Sequence, residues 1–185
     1  NKVFAGEGRL IERGYREGGP AGFGLRRTLI DETGTIKGVL ARGEHKSIQT
    51  DRVILTPGPA EETAIVQEVY RAFVHYGRTE RGIADDLNAR GIVTDLGRPW
   101  TRGTVHQLLI NEKYVGDNVW NRRSFKLKKK RVRNAPDMWI RAPGVFEGIV
   151  ERDLFDATHS IIHARSFRLS DAEMLEALQA LYDRK

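Results

Sequence analysis

The chain has 185 residues, the size of one domain with room for an appended arm, and its 39% hydrophobic content can bury a real core, which excludes wholesale disorder. It contains no cysteine, so a disulfide scaffold, cysteine-ligated zinc, an iron–sulfur cluster and a thiol nucleophile are all excluded. Its 31 lysines and arginines stand against 25 acids, and the net charge of +6 places nucleic acid among the expected partners.

The first residue is Asn1 rather than methionine, so a piece of a longer protein is expected, and the opening lacks the apolar stretch of a signal peptide. Seven of the 19 glycines fall within the first 24 residues, where few apolar positions are periodic, and this predicts a connecting, backbone-led segment over 1–24. The runs "LRRTLI", "TIKGVLA" and "RVILT" between Leu25 and Leu55 predict a small antiparallel sheet, with "DETGT" as a hairpin turn in which Gly34 can take positive φ.

"TPGPAEETAIVQEVYRAFVHYG" predicts a core helix. Pro59 suits its first turn, Glu61 and Glu62 its positive dipole end, and Gly77 its close, while Ile65, Val66, Val69, Phe73 and Tyr76 form one stripe. A second helix begins at Thr79 as N-cap, turns Ile83, Ala84 and Leu87 inward and stops at Gly91. A third begins at Thr101 and runs through "RGTVHQLLIN". "DNVWN" then reads as a strand, and the basic stretch after it as an arm or a second strand. A further helix over Glu151 to about Ala164 is anchored by Leu154, Phe155, Ile161 and Ile162. The end carries a capping-box pattern from Ser170 to Glu173 and apolar Met174, Leu175, Leu178 and Leu181. No apolar run approaches the ~20 residues needed to cross a bilayer, so no membrane partner is expected.

The helices over 79–90 and 101–111 follow one another across a connector, which is the order of a helix-turn-helix with the later helix as reader. The connector "GIVTDLGRPW" is longer than the roughly 3–4 residues of the simplest such turn. With Val105, Leu108 and Leu109 inward at about 100° per residue, Gly103, His106, Gln107 and Asn111 fall on the outward face, flanked by Arg102 and Thr104. Such side chains can donate to or accept from base edges, and Gly103 would let the backbone approach a phosphate. Any surface helix shows polar residues outward, so this helix does not decide the matter alone.

Between Asp117 and Asp137 there is no acid, yet the stretch holds Arg122, Arg123, Lys126, Lys128, Lys129, Lys130, Arg131 and Arg133. Set those eight aside and 23 bases face 25 acids, so the positive field is local. In isolation such a run reads equally well as a solvated loop; directly after a candidate reader helix it reads as a wing across a phosphate backbone. Trp120 and Phe125 interleave with it, and Trp100 and Trp139 read as core anchors. His159 and His163 lie i, i+4 without a third ligand pattern. The glycines around Gly6 and Gly22 complete neither a dinucleotide nor a phosphate-loop motif, so neither metal nor cofactor is expected.

Three stretches, "GGPAGFGLRR", "EETAIVQEVYRAFVHYGRTERGIADDLNARGIVTDLGRPWTRGTVHQLLINEKYVGDNVWN" and "GVFEGIVERDLFDATHSII", resemble the recombinase domain of large serine recombinases, the resolvase/invertase relatives that include phage integrases. The resemblance covers about residues 15 to 165, and "GRPWTRGTVHQLLINEKYVG" is its most specific part. It implies an α+β fold, a winged helix-turn-helix-like helical core with a small antiparallel sheet. It also implies a plan of a 1–24 linker after a catalytic domain, a 25–164 DNA-binding domain and a C-terminal helical segment starting in 165–185. Residues 35–52 look longer than the family's usual strand-turn, and the zinc ribbon and coiled coil of many members have no counterpart here.

In that family a separate domain supplies a serine that links covalently to DNA. Ser47, Ser124, Ser160, Ser166 and Ser170 lack that context, so this chain is expected to bind double-stranded attachment-site DNA without cutting it. Arg102, Thr104, His106 and Gln107 would meet bases, Arg98 and Thr101 phosphate at the helix entrance, and Lys126 to Arg133 the backbone. The glycine-rich stretch from Arg9 to Arg27, with Arg26 and Arg27, would follow the minor groove. The resemblance further implies a cytoplasmic, bacterial or phage-derived parent that acts as a dimer pairing into a tetramer, the piece itself being monomeric. A helix-turn-helix transcriptional repressor is the alternative. A nucleic-acid enzyme in its own right and a module for acidic protein partners are further rivals, separable by covalent adducts and by preference for duplex over heparin.

Overall fold

Apolar stripes from helices in the middle and at the end of the chain meet in one core, with Phe73, Val66, Val105 and Leu109 wholly shielded from solvent. The computed structural model describes residues 2–16, 18–124 and 132–166, together with positions 175, 179 and 182. The chain opens with α1 (Lys2–Glu12) and continues into β1 (Leu25–Ile30), β2 (Ile36–Leu40) and β3 (Arg52–Pro57). Three helices follow, α2 (Ala60–Val74), α3 (Glu80–Ala89) and α4 (Arg102–Leu109), and then a 3-10 turn over Glu112–Val115. The short strands β4 (Asn118–Trp120), β5 (Arg123–Ser124), β6 (Val132–Arg133) and β7 (Ile140–Ala142) precede α5 (Arg152–Arg165). This is an α+β fold, with the expected small antiparallel sheet in the order β2-β1-β3.

The β1–β2 turn forms as its residues dictate: Asp31 Oδ1 accepts from the backbone N–H groups of Thr33 and Thr35, both at 2.9 Å, and Gly34 takes φ +87°. In α2 the buried face is Val66, Val69, Tyr70 and Phe73. The expected stripe erred at its end, because the helix stops at Val74 and leaves Tyr76 78% exposed. Tyr70 takes the interior position instead. Its hydroxyl donates to the carbonyls of Leu108 (2.9 Å) and Leu109 (3.3 Å), which satisfies the one polar atom that burial would penalise.

The first 24 residues are not the irregular connector their glycines suggested. Residues 2–12 are helical and pack on β4 and β7 with Ile11 wholly buried. Gly8 faces β7, where a Cβ would lie 2.8 Å from Ile140 Cδ1 and ask that side chain to turn aside. The stretch that follows is docked. Arg16 N–H donates to Val53 O (2.7 Å), Tyr114 Oη–H to Phe23 O (2.9 Å) and Gly24 N–H to Glu62 Oε2 (3.1 Å). Gly24, at φ +79°, lies so close to Val66 that a Cβ would sit 2.8 Å from its Cγ2.

One further expectation needs correction: Trp139 is no core anchor, being half-buried beneath arginines. In α5 the expected anchors hold, Phe155 in the core and Leu154, Ile161 and Ile162 packed against it. Thr158 is buried as well, its hydroxyl donating back to Leu154 O at 2.8 Å. The basic positions Lys126 to Arg131, Phe125 and the capping box from Ser170 to Glu173 lie outside the described residues.

Tyr70→Phe is expected to destabilise the chain by about 1–2 kcal/mol through the lost hydroxyl donor, less than the roughly 2–5 kcal/mol of a Leu109→Ala cavity. Urea unfolding of the two variants checks both the size and the order.

Candidate nucleic-acid interface

Helix α3 starts at Thr79, whose hydroxyl accepts from Gly82 N–H at 3.1 Å. The long connector to α4 is closed by an amide clamp: Asn88 Oδ1 accepts from Trp100 N–H (2.7 Å) and Asn88 Nδ2 donates to Trp100 O (2.9 Å). Trp100 is itself buried edge-on against Phe23. This fixes the entrance of α4. There Thr101 Oγ1 accepts from Thr104 N–H (3.2 Å) and Thr104 Oγ1 accepts from Thr101 N–H (2.8 Å), a reciprocal cap worth on the order of 1 kcal/mol.

Val105, Leu108 and Leu109 turn inward as expected, and Arg102, Gly103, Thr104 and Gln107 are exposed. His106 and Asn111 are only half-exposed and already have partners. Glu80 of α3, largely shielded, receives both His106 Nδ1 (2.8 Å) and Arg102 Nε (3.3 Å), while Asn111 Oδ1 accepts from Lys113 N–H (3.3 Å) to cap the next turn. The hydroxyls of Thr101 and Thr104 are spent in the cap. Among the described residues Gly103 meets nothing closer than Thr101 Oγ1 at 3.8 Å, so no packing there demands a glycine.

The short strands form a two-stage antiparallel ribbon, β4 with β7 and then β5 with β6, with residues 125–131 between β5 and β6 in sequence. Between the stages the chain turns a corner at Asn121, whose φ is +61°. The buried Asn134 donates from Nδ2 to Asn121 O (2.7 Å), and its own carbonyl accepts from Trp139 Nε1–H (2.9 Å). The guanidinium carbons of Arg122, Arg133 and Arg141 stand 5.2, 5.7 and 5.2 Å from the Trp139 ring. Arg122 and Arg141 also share Glu112, the latter at 2.6 Å. Arg123 and Arg133 are exposed.

Where the end of α4 meets the root of the ribbon lies a cavity of about 270 Å³, lined by Gln107, Asn111, Lys113, Arg122 and Arg16 from the glycine-rich segment, with Glu112 and Asp117. Lys113 Nζ donates to Pro20 O (3.0 Å) and Ala21 O (3.1 Å). Burial, reinforced by the charge of Arg16, pushes the Lys113 ammonium down to about 7. Burial and then the charge of Arg122 also hold Arg16 below its ordinary range. Neither Arg16 nor Lys113 was picked out from the sequence. Nothing local marks them, because the cavity assembles residues about a hundred positions apart.

Arg98 is exposed beside the entrance of α4. Arg26 and Arg27, expected along a groove, have partners inside the chain. Arg26 forms a two-pronged pair with Glu62 at 2.7 and 2.9 Å, and Arg27 donates to Glu44 O at 2.8 Å. Among the described residues no group of three or more histidines, acids or cysteines could hold a metal, and no described helix is long and apolar enough to cross a membrane.

A model of the Recombinase family matches residues 60–165, more than half of the sequence, and the chain belongs to that family. No curated protein matches it. Among solved structures, a complex of a large serine recombinase (LSR) with DNA shares the fold at a TM-score of 0.53 and 16% identity, over 89% of this chain and 38% of the other. A structure concerning the sequence requirements of the Listeria innocua prophage attP site matches at a TM-score of 0.52 and 16% identity, over 88% of this chain and 52% of the other. The chain thus spans 38% and 52% of those two structures.

Lys113 titrates near 10.5 when unfolded and about 7 when folded, so between those values the unfolded chain holds the extra proton and this group makes stability rise with pH. Lys113→Met is expected to flatten that rise, as read by urea unfolding at steps across the window.

Proposed function

We propose that the chain is a sequence-specific duplex-DNA-binding domain of a site-specific serine recombinase, seated on part of an attachment half-site. In this reading strand cutting belongs to another domain of the whole protein, none of the chain's serines acts as nucleophile, and the cytoplasmic parent works as a dimer pairing into a tetramer. The observation that carries the reading is that Gln107, on the exposed face of α4, and Arg122, at the root of the basic ribbon, line one cavity. A candidate base reader beside a candidate backbone cation is the arrangement that groove insertion would use. Membership of the Recombinase family and the fold shared with an LSR–DNA complex support it.

Arg102 and Gln107 are the base-edge candidates, with His106 held against Glu80 at their side. Thr101, Gly103 and Thr104 bring a capped helix start close to the backbone, and Arg98 takes a phosphate beside it. Arg123 and Arg133 grip the backbone beside it, and the run Lys126 to Arg131 is assigned the same role from its charge. Asn111 caps the turn after α4 through Oδ1, which leaves its Nδ2 as a further base-edge candidate.

Selection from a random duplex library, followed by binding to a recovered and a scrambled duplex over a range of salt, tests this. Preference for the recovered duplex without a covalent adduct is expected; equal affinity for both rejects the specificity. Gln107→Ala is expected to lose about 1–3 kcal/mol of discrimination at one or two base pairs. Replacing Lys128, Lys129 and Lys130 by Gln is expected to weaken both duplexes alike and to lower the salt slope by about 0.9 for each phosphate no longer neutralised.

A further inference from the structure

The cavity beside Gln107 carries more positive charge than its own acids neutralise. Glu112 is taken up by Arg122 and Arg141, and Asp117 by both Nη atoms of Arg152, at 2.7 and 2.8 Å. Arg16 and Lys113 have no carboxylate at ion-pair distance among the described residues. The Nε–H groups of Arg16 and Arg122 are both buried without an acceptor among those residues. A guanidinium donor taken out of water and left unpaired is costly, and folding alone gives no return for it.

We propose that this cavity is a seat for one phosphodiester group of the DNA backbone, held by Arg16, Lys113 and Arg122. The proposal rests on the DNA-binding reading above and deepens it, because none of these three was part of the reader helix. A phosphate oxygen supplies the acceptors that the two guanidinium groups lack, and its charge offsets the Arg16 guanidinium, which no described carboxylate pairs. The depressed Lys113 supports this choice of ligand: an anion in the seat restores its ammonium, so binding takes up a proton. The charged groups around Lys113 are Arg16, Arg122, Glu112, Asp117 and Asp95, with Arg141 and Arg152 behind the acids, and Asp95 alone is too weak to hold it charged. Since Arg16 belongs to the segment before β1 and Arg122 to the ribbon, one phosphate would link three parts of the chain beside the reading face.

The test uses the whole chain and a duplex recovered by selection, with single phosphates replaced in turn by uncharged methylphosphonate. One replacement is expected to weaken the wild type about tenfold and to have no effect on Lys113→Met, a coupled cycle at a single position. Arg16→Gln gives the same cycle where it folds by circular dichroism. Lys113→Met should also lower the salt slope by about 0.9. In chain labelled at lysine Cε, the Lys113 titration should move upward on adding duplex. Binding of the duplex with no position coupled to Lys113 overturns the seat and leaves DNA binding standing. Failure to bind any duplex, with the Lys113 titration moved by pyrophosphate, overturns DNA as the source of the phosphate. Response to neither duplex nor pyrophosphate overturns both readings.

Discussion

The hydroxyl of Tyr70, donating to the last carbonyls of α4, is the fastening on which the exposed surface depends. A helix of eight residues has little stability of its own in water, so α4 keeps its direction only because Val105, Leu108 and Leu109 are buried and its end is tied to α2. The next turn continues the chain of dependence. The Tyr114 carbonyl accepts from the N–H groups of Ile149 and Val150, both at 2.9 Å, and its hydroxyl holds Phe23. Helix, turn and N-terminal segment are therefore positioned by two tyrosines in contact, with ring centroids 6.4 Å apart.

Several acids among the described residues work as holders of cations. Glu62 keeps Arg26, Glu68 keeps Arg90, Glu80 keeps Arg102 and His106, and Asp117 keeps Arg152. Exposed pairs of this kind add little stability, so their effect is one of orientation. Among the described residues they leave Arg123 and Arg133 of the ribbon exposed, and Arg16 and Lys113 at its root without a carboxylate partner.

Much of the fold was legible because it rests on local signals. Thr79 and Thr101 cap helices, Asp31 and Gly34 close a hairpin, and period-3.6 stripes place Ile83, Leu87, Val105 and Leu109 inside. The failures share a cause. Tyr76 and Tyr70 are indistinguishable by polarity, but the helix ends at Val74 before Tyr76 can join its stripe, and Tyr70 finds a carbonyl acceptor 38 residues away. Glycines at 6 and 8 argued against a helix, yet tertiary packing on β4 and β7 overrides a propensity cost of about 1 kcal/mol each. The exposed face of α4 could be read from periodicity, whereas Glu80, Arg16 and Lys113 could not, because their importance arises only from what folding sets beside them.

The corner of the ribbon is closed by side-chain amides and one indole N–H, not by apolar filling. Its bend is set by Asn121, Asn134 and Trp139, all of which lie outside the stretch between β5 and β6. Hydrogen bonds are directional where apolar contact is not, so the angle between the two strand pairs is fixed more sharply than packing alone would fix it.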